Sequence, residues 1–360
     1  MGQEIPDATA LAWLKSKNYA ALDSYLGGLQ RGYESHGVSE RRLYEGFRGL
    51  YEDQAFNVQD FDRWVLAFPI SYVARTARGA YYYRMGQAIR GNKFIEKTPP
   101  EQIVYMTVYL ARARSDLLES MKMTARPYVT ALYMLNIERL SGSPESRRYW
   151  LDRGNTIDPQ NELLRLRYMD SLRPRWGGSV EAMRSFRAET ELHRVPAALL
   201  AKFDIEIETE SAFELTEPAL REEAFRQWEK VLKLLAETGE APSDDVLIGY
   251  ARNAWGLNRR PDADRALELL SKRKVDDAHV LTQMGWLYVQ EQRMKEAWPV
   301  LQKAATLNDP WAQFSVGKTT YLGCPDINLP ANRQAGLVWM RRSADQGFAE
   351  AKSFLLDAGQ

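Results

Sequence analysis

The sequence predicts an all-α protein of stacked helical hairpins, and three observations predict it. Segments rich in Ala, Leu, Arg, Glu, Gln and Met carry apolar residues at helical spacing nearly from end to end, while strand signals are scarce. Ala278 to Trp311 reads as one complete helix-turn-helix unit of about 34 residues. In it Leu281, Met284, Gly285, Tyr288, Ala297, Leu301 and Ala304 alternate large with small before the closing Asp309-Pro310. Directly ahead, Asp244 to Asp277 repeats that register more weakly: Leu247, Ala251, Ala263 and Leu267 match, while Ala254 and Leu270 depart from it. Such a unit cannot bury its apolar face alone, so neighbours stack on it and leave a concave surface suited to holding another protein.

Taken in order, the breaks between helical windows fall at Pro69, Pro99-Pro100, Gly142 to Pro144, Asp158-Pro159, Pro174 to Gly178, Gly239 to Pro242, Pro261 and Pro325. Phe68-Pro69 precedes Gly79 and Tyr82 at the spacing a closing proline keeps from the small and aromatic positions of the next helix. Another helical pair ends at Ile157-Asp158-Pro159. The upstream matches are degenerate, so packing there is expected to be less regular, and an irregular helical bundle is the competing arrangement. The expected division is an irregular helical-repeat region at 1–190, connecting helices at 191–243, and regular repeats at 244–360.

The spacing in 278–311 resembles a tetratricopeptide repeat, which implies an α-solenoid. After Pro310, Ala312, Val316, Gly317, Tyr321 and Gly323 precede a loop, and Ala335, Trp339, Ala344, Gly347 and Ala351 follow it. This resembles a Sel-one-like repeat, with Thr320 where the tyrosine is expected and Ser343 in place of an alanine. Residues from about Asp23 to Arg187, above all Pro174-Arg175-Trp176-Gly177-Gly178, resemble a bacterial domain of unknown function. That resemblance implies a bacterial origin and a helical domain, and brings no activity.

Composition narrows the function classes. Of 360 residues 45% are hydrophobic and 27% charged, a globular balance. Lys plus Arg and Asp plus Glu are 48 each, which argues against a dedicated nucleic-acid or membrane-surface binder. The single cysteine, Cys324, allows no intramolecular disulfide, so a reducing compartment is the simpler expectation. The first seven residues have neither a basic nor an apolar signal region, Pro6 spoils a myristoylation motif, and no run approaches a membrane span. A cytoplasmic location is expected.

Candidates for chemistry meet simpler explanations. Ala312 to Thr319 satisfies a relaxed phosphate-loop pattern, but no strand precedes it and only one glycine is present, so it is expected inside a helix whose N–H groups are already used. His36, His193 and His279 have no metal-ligand spacing, and Cys324 has no nearby His or basic residue to activate it. Neither a cofactor nor a catalytic constellation is predicted. Arg75 to Arg84 mixes cations with aromatics as RNA-binding surfaces do, yet on a helix Gly79 and Tyr82 form a packing stripe flanked by solvated arginines. Asp204 to Glu223 is expected as an acidic helix in preference to a strand, able to meet a basic partner. Trp176 is expected to plug a hydrophobic gap after Pro174 ends a helix, with Gly177 and Gly178 allowing a positive-φ turn; a ligand-stacking site is the alternative.

The tetratricopeptide resemblance implies which side chains face the groove. They are His279, Thr282, Trp286, Val289 and Gln290 in one unit, and Asp245, Ile248, Arg252, Trp255 and Gly256 in the unit before. Arg252, Trp255, Thr282, Trp286 and Gln290 are the candidate partner-binding residues, since Trp and Arg dominate binding hot spots. Trp255 and Trp286 packing into a core is the alternative. The expected function is non-enzymatic binding of another protein, with no nucleic acid and no membrane involved. An adaptor in a complex and an immunity protein covering a toxin both suit that mode, and an enzyme with a site assembled only on folding is the further alternative.

Overall fold

In the computed structural model the described residues are 7–51, 58–91 and 98–358, and they form an all-α protein with nineteen α-helices and no strand. The chain separates into two compact units, residues 1–203 and 204–360. The division falls inside one helix, whereas the sequence suggested boundaries at 190 and 243.

The N-terminal unit holds α1 (Asp7–Lys15), α2 (Tyr19–Glu34), α3 (Glu40–Arg48), α4 (Val58–Ala67), α5 (Tyr72–Arg90), α6 (Pro100–Ser120), α7 (Tyr128–Ser141), α8 (Pro144–Ile157), α9 (Leu163–Ser171) and α10 (Val180–Glu191). A 3-10 turn, Pro174–Trp176, separates the last two. Side chains start these helices: Asn18, Ser39, Ser71, Ser143 and Ser179 each accept a hydrogen bond from a first-turn amide. Pro100 and Pro144 occupy first-turn positions, where a missing N–H costs nothing. Helix α7 is buried along the whole of Tyr128 to Glu138 and touches α3, α5, α6, α8 and α9. A helix buried on every face is a core element, so this unit is organised round α7 and is less regular than a row of pairs. The α5–α6 hairpin is tight because a Cβ on Gly79 would lie 2.8 Å from Leu117.

Helix α11 (Ala197–Glu214) crosses the division; the single acidic helix expected over Asp204 to Glu223 is helical only to Glu214, where a short loop and the 3-10 segment Pro218–Leu220 break it before the next helix begins at Arg221. The C-terminal unit continues with α12 (Arg221–Thr238), α13 (Asp244–Gly256), α14 (Arg260–Ser271), α15 (Ala278–Gln290), α16 (Met294–Thr306), α17 (Pro310–Leu322), α18 (Arg333–Asp345) and α19 (Ala349–Asp357). Each helix from α12 onward touches the next, except that α14 passes its chain to α15 without extensive contact, and α13, α15 and α17 also touch in succession. These are stacked hairpins. Leu247, Ala251, Leu267, Leu281, Met284, Leu301 and Ala304 share one continuous core.

The repeat register recurs in backbone detail. Asn258 and Gln292 both adopt left-handed conformations in the inter-helix turns, and Arg259 and Arg293 donate amide hydrogen bonds to the carbonyls of Ala254 and Tyr288. Gly285 explains its small side chain: a Cβ there would lie 2.3 Å from Leu301, so only glycine lets α15 approach α16 this closely. Pro299 sits inside α16, exposed, at a position where a proline removes a helical hydrogen bond. Among the described residues no helix is long and apolar enough to cross a membrane.

Candidate functional site

The C-terminal unit encloses a cavity of about 500 Å³ lined from α11 to α17. The first helices of successive hairpins supply most of its wall: Arg252, Asn253, Trp255 and Gly256 from α13, His279, Thr282, Gln283 and Trp286 from α15, and Trp311 from α17. Helices α11 and α12 add Phe213, Arg221 and Trp228. Asp309, at the start of α17, also lines it, but its carboxylate accepts the amide of Ala312 as a helix cap.

Four of the five candidate residues, Arg252, Trp255, Thr282 and Trp286, line this one cavity. Gln290 does not: as the last residue of α15 it is exposed beyond the cavity wall. Of the other implied groove positions, His279 and Gly256 line the cavity and Asp245 is exposed outside it. Ile248 is 3% exposed and belongs to the hydrophobic core, and Val289 packs against that core. Ile248 therefore corrects the groove expectation, because the neighbouring packing covers its side of α13.

Trp255 and Trp286 are both wall and packing. Their rings meet edge to face with centroids 4.9 Å apart, and both rest partly buried against the core. Trp255 is further held by its indole N–H, which donates to the Glu291 carboxylate, while the Arg260 guanidinium lies 4.7 Å above its ring and pairs with Glu291 at 2.9 Å. The two indoles are thus fixed before anything binds, which lowers the ordering cost of a contact made there.

The charged lining sets two arginines, Arg221 and Arg252, beside the carboxylates of Glu217 and the capping Asp309. Arg252 has no carboxylate partner among the described residues; although the residue as a whole is exposed, desolvation at the cavity wall and the nearby charge of Arg221 hold its pKa below the ordinary arginine value. Arg221 packs over Gly256, whose Cβ would lie 2.5 Å from it, and its guanidinium donates only to the Gly256 carbonyl at 3.4 Å. Two buried groups find no hydrogen-bond partner among the described residues: the Trp228 indole N–H, on a residue 1% exposed, and the Thr282 hydroxyl, on one 6% exposed. Leaving such a group unmatched costs about 1–3 kcal/mol, so each favours a ligand that supplies a partner.

Trp228, Phe213 and Arg221 escaped the sequence reading because they lie before the regular repeats. The usable signal was the pattern Phe225, Trp228, Val231 and Leu235 along α12, the buried stripe of an amphipathic helix packed onto α13.

Elsewhere the candidates fall as follows. Ala312 to Thr319 lies wholly inside α17, as expected. Arg78 grips Asp116 through two hydrogen bonds of 2.7 Å and reaches Asp62 at 2.9 Å, while Tyr81, Tyr82 and Tyr83 are buried, so Arg75 to Arg84 forms the expected packing stripe. Arg78 at its centre is neutralised by carboxylates instead of being solvated, while Arg84 stays exposed. Among the described residues no group of three or more His, Cys, Asp or Glu side chains gathers to hold a metal ion. Trp176 is a correction: it does not plug a hydrophobic gap but is half-buried among the guanidinium groups of Arg90, Arg139 and Arg175. Its glycines serve two separate needs. Gly177 has a φ of +80°, and a Cβ on Gly178 would collide with the Leu172 carbonyl at 1.9 Å.

Compared with known proteins, the chain matches no family model, and no curated protein matches it. The likenesses of 278–311 and of the Pro-Arg-Trp-Gly-Gly block rest on their own residues.

Proposed function

We propose that the C-terminal unit captures a polypeptide segment of a protein partner in the cavity between α11 and α17. One observation carries this reading: a fixed pair of indoles stands beside an arginine that has no ion pair among the described residues, in a cavity where the Trp228 indole N–H and the Thr282 hydroxyl are unmatched. Indole walls take up apolar side chains at little ordering cost, and aromatic and arginine anchors carry most of the energy of protein interfaces. The donors Arg252 and Trp228 ask for acceptors, which a backbone carbonyl or an acidic side chain supplies. The chain then works as a binding protein and not as an enzyme.

The test pans a library of unstructured peptides against the intact protein, then measures the selected sequences against Arg252→Ala and Trp286→Ala. Each variant is expected to weaken binding about tenfold or more, in line with hot-spot behaviour. Peptides that bind all three proteins equally would place capture elsewhere and end this reading.

A further inference from the structure

The Pro-Arg-Trp-Gly-Gly block, which the binding cavity leaves unused, builds a second charged centre within the N-terminal unit. Three elements meet there. Arg90 is the last residue of α5, Arg139 lies in the last turn of α7, and Trp176 ends the 3-10 turn that follows α9. The guanidinium carbons of Arg90, Arg139 and Arg175 lie 5.2, 4.9 and 5.9 Å from the centre of the Trp176 ring.

Charge at this place is out of balance. Asp170 answers Arg139, Arg173 at 3.3 Å and Arg175 at 3.4 Å, so one carboxylate serves three guanidinium groups. Arg90 has no carboxylate partner among the described residues, and its guanidinium donates only to the Gly91 carbonyl at 3.2 Å. Burial, with the charge of Arg139 beside it, holds the Arg90 pKa below its ordinary value. Burying like charges side by side is costly unless something negative joins them.

Hydrogen bonding is out of balance in the same sense. The Nε–H groups of Arg90 and Arg139 and the indole N–H of Trp176 are buried without an acceptor among the described residues. Within the turn the Arg173 carbonyl already accepts the amides of Trp176 and Gly178, the Pro174 carbonyl that of Gly177, and the Trp176 carbonyl the Arg147 guanidinium. Surplus positive charge and surplus donors therefore coincide. Guanidinium forks match the paired oxygens of a tetrahedral oxyanion better than any other common group. An excess of about three cations over one carboxylate suits a doubly charged anion, and the half-exposed Arg175 side chain leaves an approach from solvent.

We propose that the arginine collar of Trp176 is a binding site for a phosphate group, held by Arg90, Arg139 and Arg175. The ligand is inorganic phosphate or the phosphate of a small phosphomonoester, the two sharing the chemistry the collar recognises. This goes beyond polypeptide capture and stands or falls separately from it.

The experiment follows thermal unfolding and calorimetric titration of the full chain in an oxyanion-free buffer. Inorganic phosphate and methyl phosphate are each added against chloride at equal ionic strength. Phosphate is expected to raise Tm by ~2 °C or more over chloride, as a ligand that binds only the folded state must. Arg90→Gln and Arg175→Gln should bind at least about tenfold more weakly, while Arg184→Gln, an exposed arginine on α10, responds as wild type. Arg90→Gln should also melt no lower than wild type without phosphate. Tighter binding of methyl phosphate assigns the site to esters, and tighter binding of inorganic phosphate assigns it to the free ion. No difference between phosphate and chloride, or an undiminished response in both arginine variants, overturns the proposal. So does an Arg90→Gln protein that loses the same stability with and without phosphate, since that marks a purely structural clasp.

Discussion

The indole of Trp255 meets that of Trp286 edge to face, with ring planes 72° apart and the Glu291 carboxylate locking the first ring in place. One pair of side chains from successive hairpins thus closes the packing between α13 and α15 and presents a surface to the cavity. The two roles separate experimentally.

Because both indoles are only partly buried, Trp255→Ala and Trp286→Ala should each cost about 1–3 kcal/mol, less than the loss of a fully buried tryptophan. The double variant should reveal a coupling of about 0.5–1.5 kcal/mol, the worth of an aromatic pair beyond its buried area. Urea unfolding of the four proteins measures it. A coupling near zero would show that the contact is incidental.

Thr282→Val should leave stability unchanged or raise it by up to ~1–3 kcal/mol, because it replaces a buried hydroxyl that has no partner with a methyl of the same shape. Arg252→Ala should stay within about 0.5 kcal/mol of wild type, having no ion pair to lose. A clear drop in the melting of Thr282→Val would mean that the hydroxyl is satisfied within the fold.

Glu40 caps a helix from a distance. Its Oε1 accepts the amides of Glu162 at 2.8 Å and Leu163 at 3.0 Å, at the start of α9, and Glu40→Ala should cost about 1–2 kcal/mol. Burial raises the Glu40 pKa above its ordinary 4.5, although the hydrogen bonds from Tyr128 and the two amides pull against it. As pH rises from that ordinary value the unfolded chain ionises first, so this residue's contribution to stability falls until the folded pKa is passed and stays at the lower level above it. Glu40→Gln keeps an acceptor and removes the titration. Its stability curve should be flatter than wild type's over that window, and parallel curves would refute the assignment.

Pro299→Ala should stabilise the protein by ~1–3 kcal/mol, since alanine restores the N–H that α16 lacks at an exposed position. Differential scanning calorimetry tests this, and an unchanged or lower Tm would show that the proline is accommodated without strain.

Much of the C-terminal unit was legible because tight hairpins demand small residues at set places. Gly285 facing Leu301 and Ala251 in the shared core leave that demand written in the chain. The same register brought Arg252, Trp255, Thr282 and Trp286 to one cavity, but could not foresee that Gln290 would fall past its edge. Trp228 and Arg221 were not legible, since they reach the cavity from helices outside the repeat pattern. Nor was the surrounding of Trp176, where Arg90 and Arg139 arrive from distant parts of the sequence and no local spacing announces them. Helix α7 hid for the opposite reason: buried on every side, it carries no amphipathic stripe to betray its neighbours.

The matched left-handed turns at Asn258 and Gln292 make neighbouring hairpins interchangeable in kind. A duplicate of residues 278–311 spliced in before Ala278 would meet, at each end, a surface shaped like the one it already abuts. Evolution or an engineer can therefore lengthen this stack of hairpins in whole steps, without redrawing any existing joint.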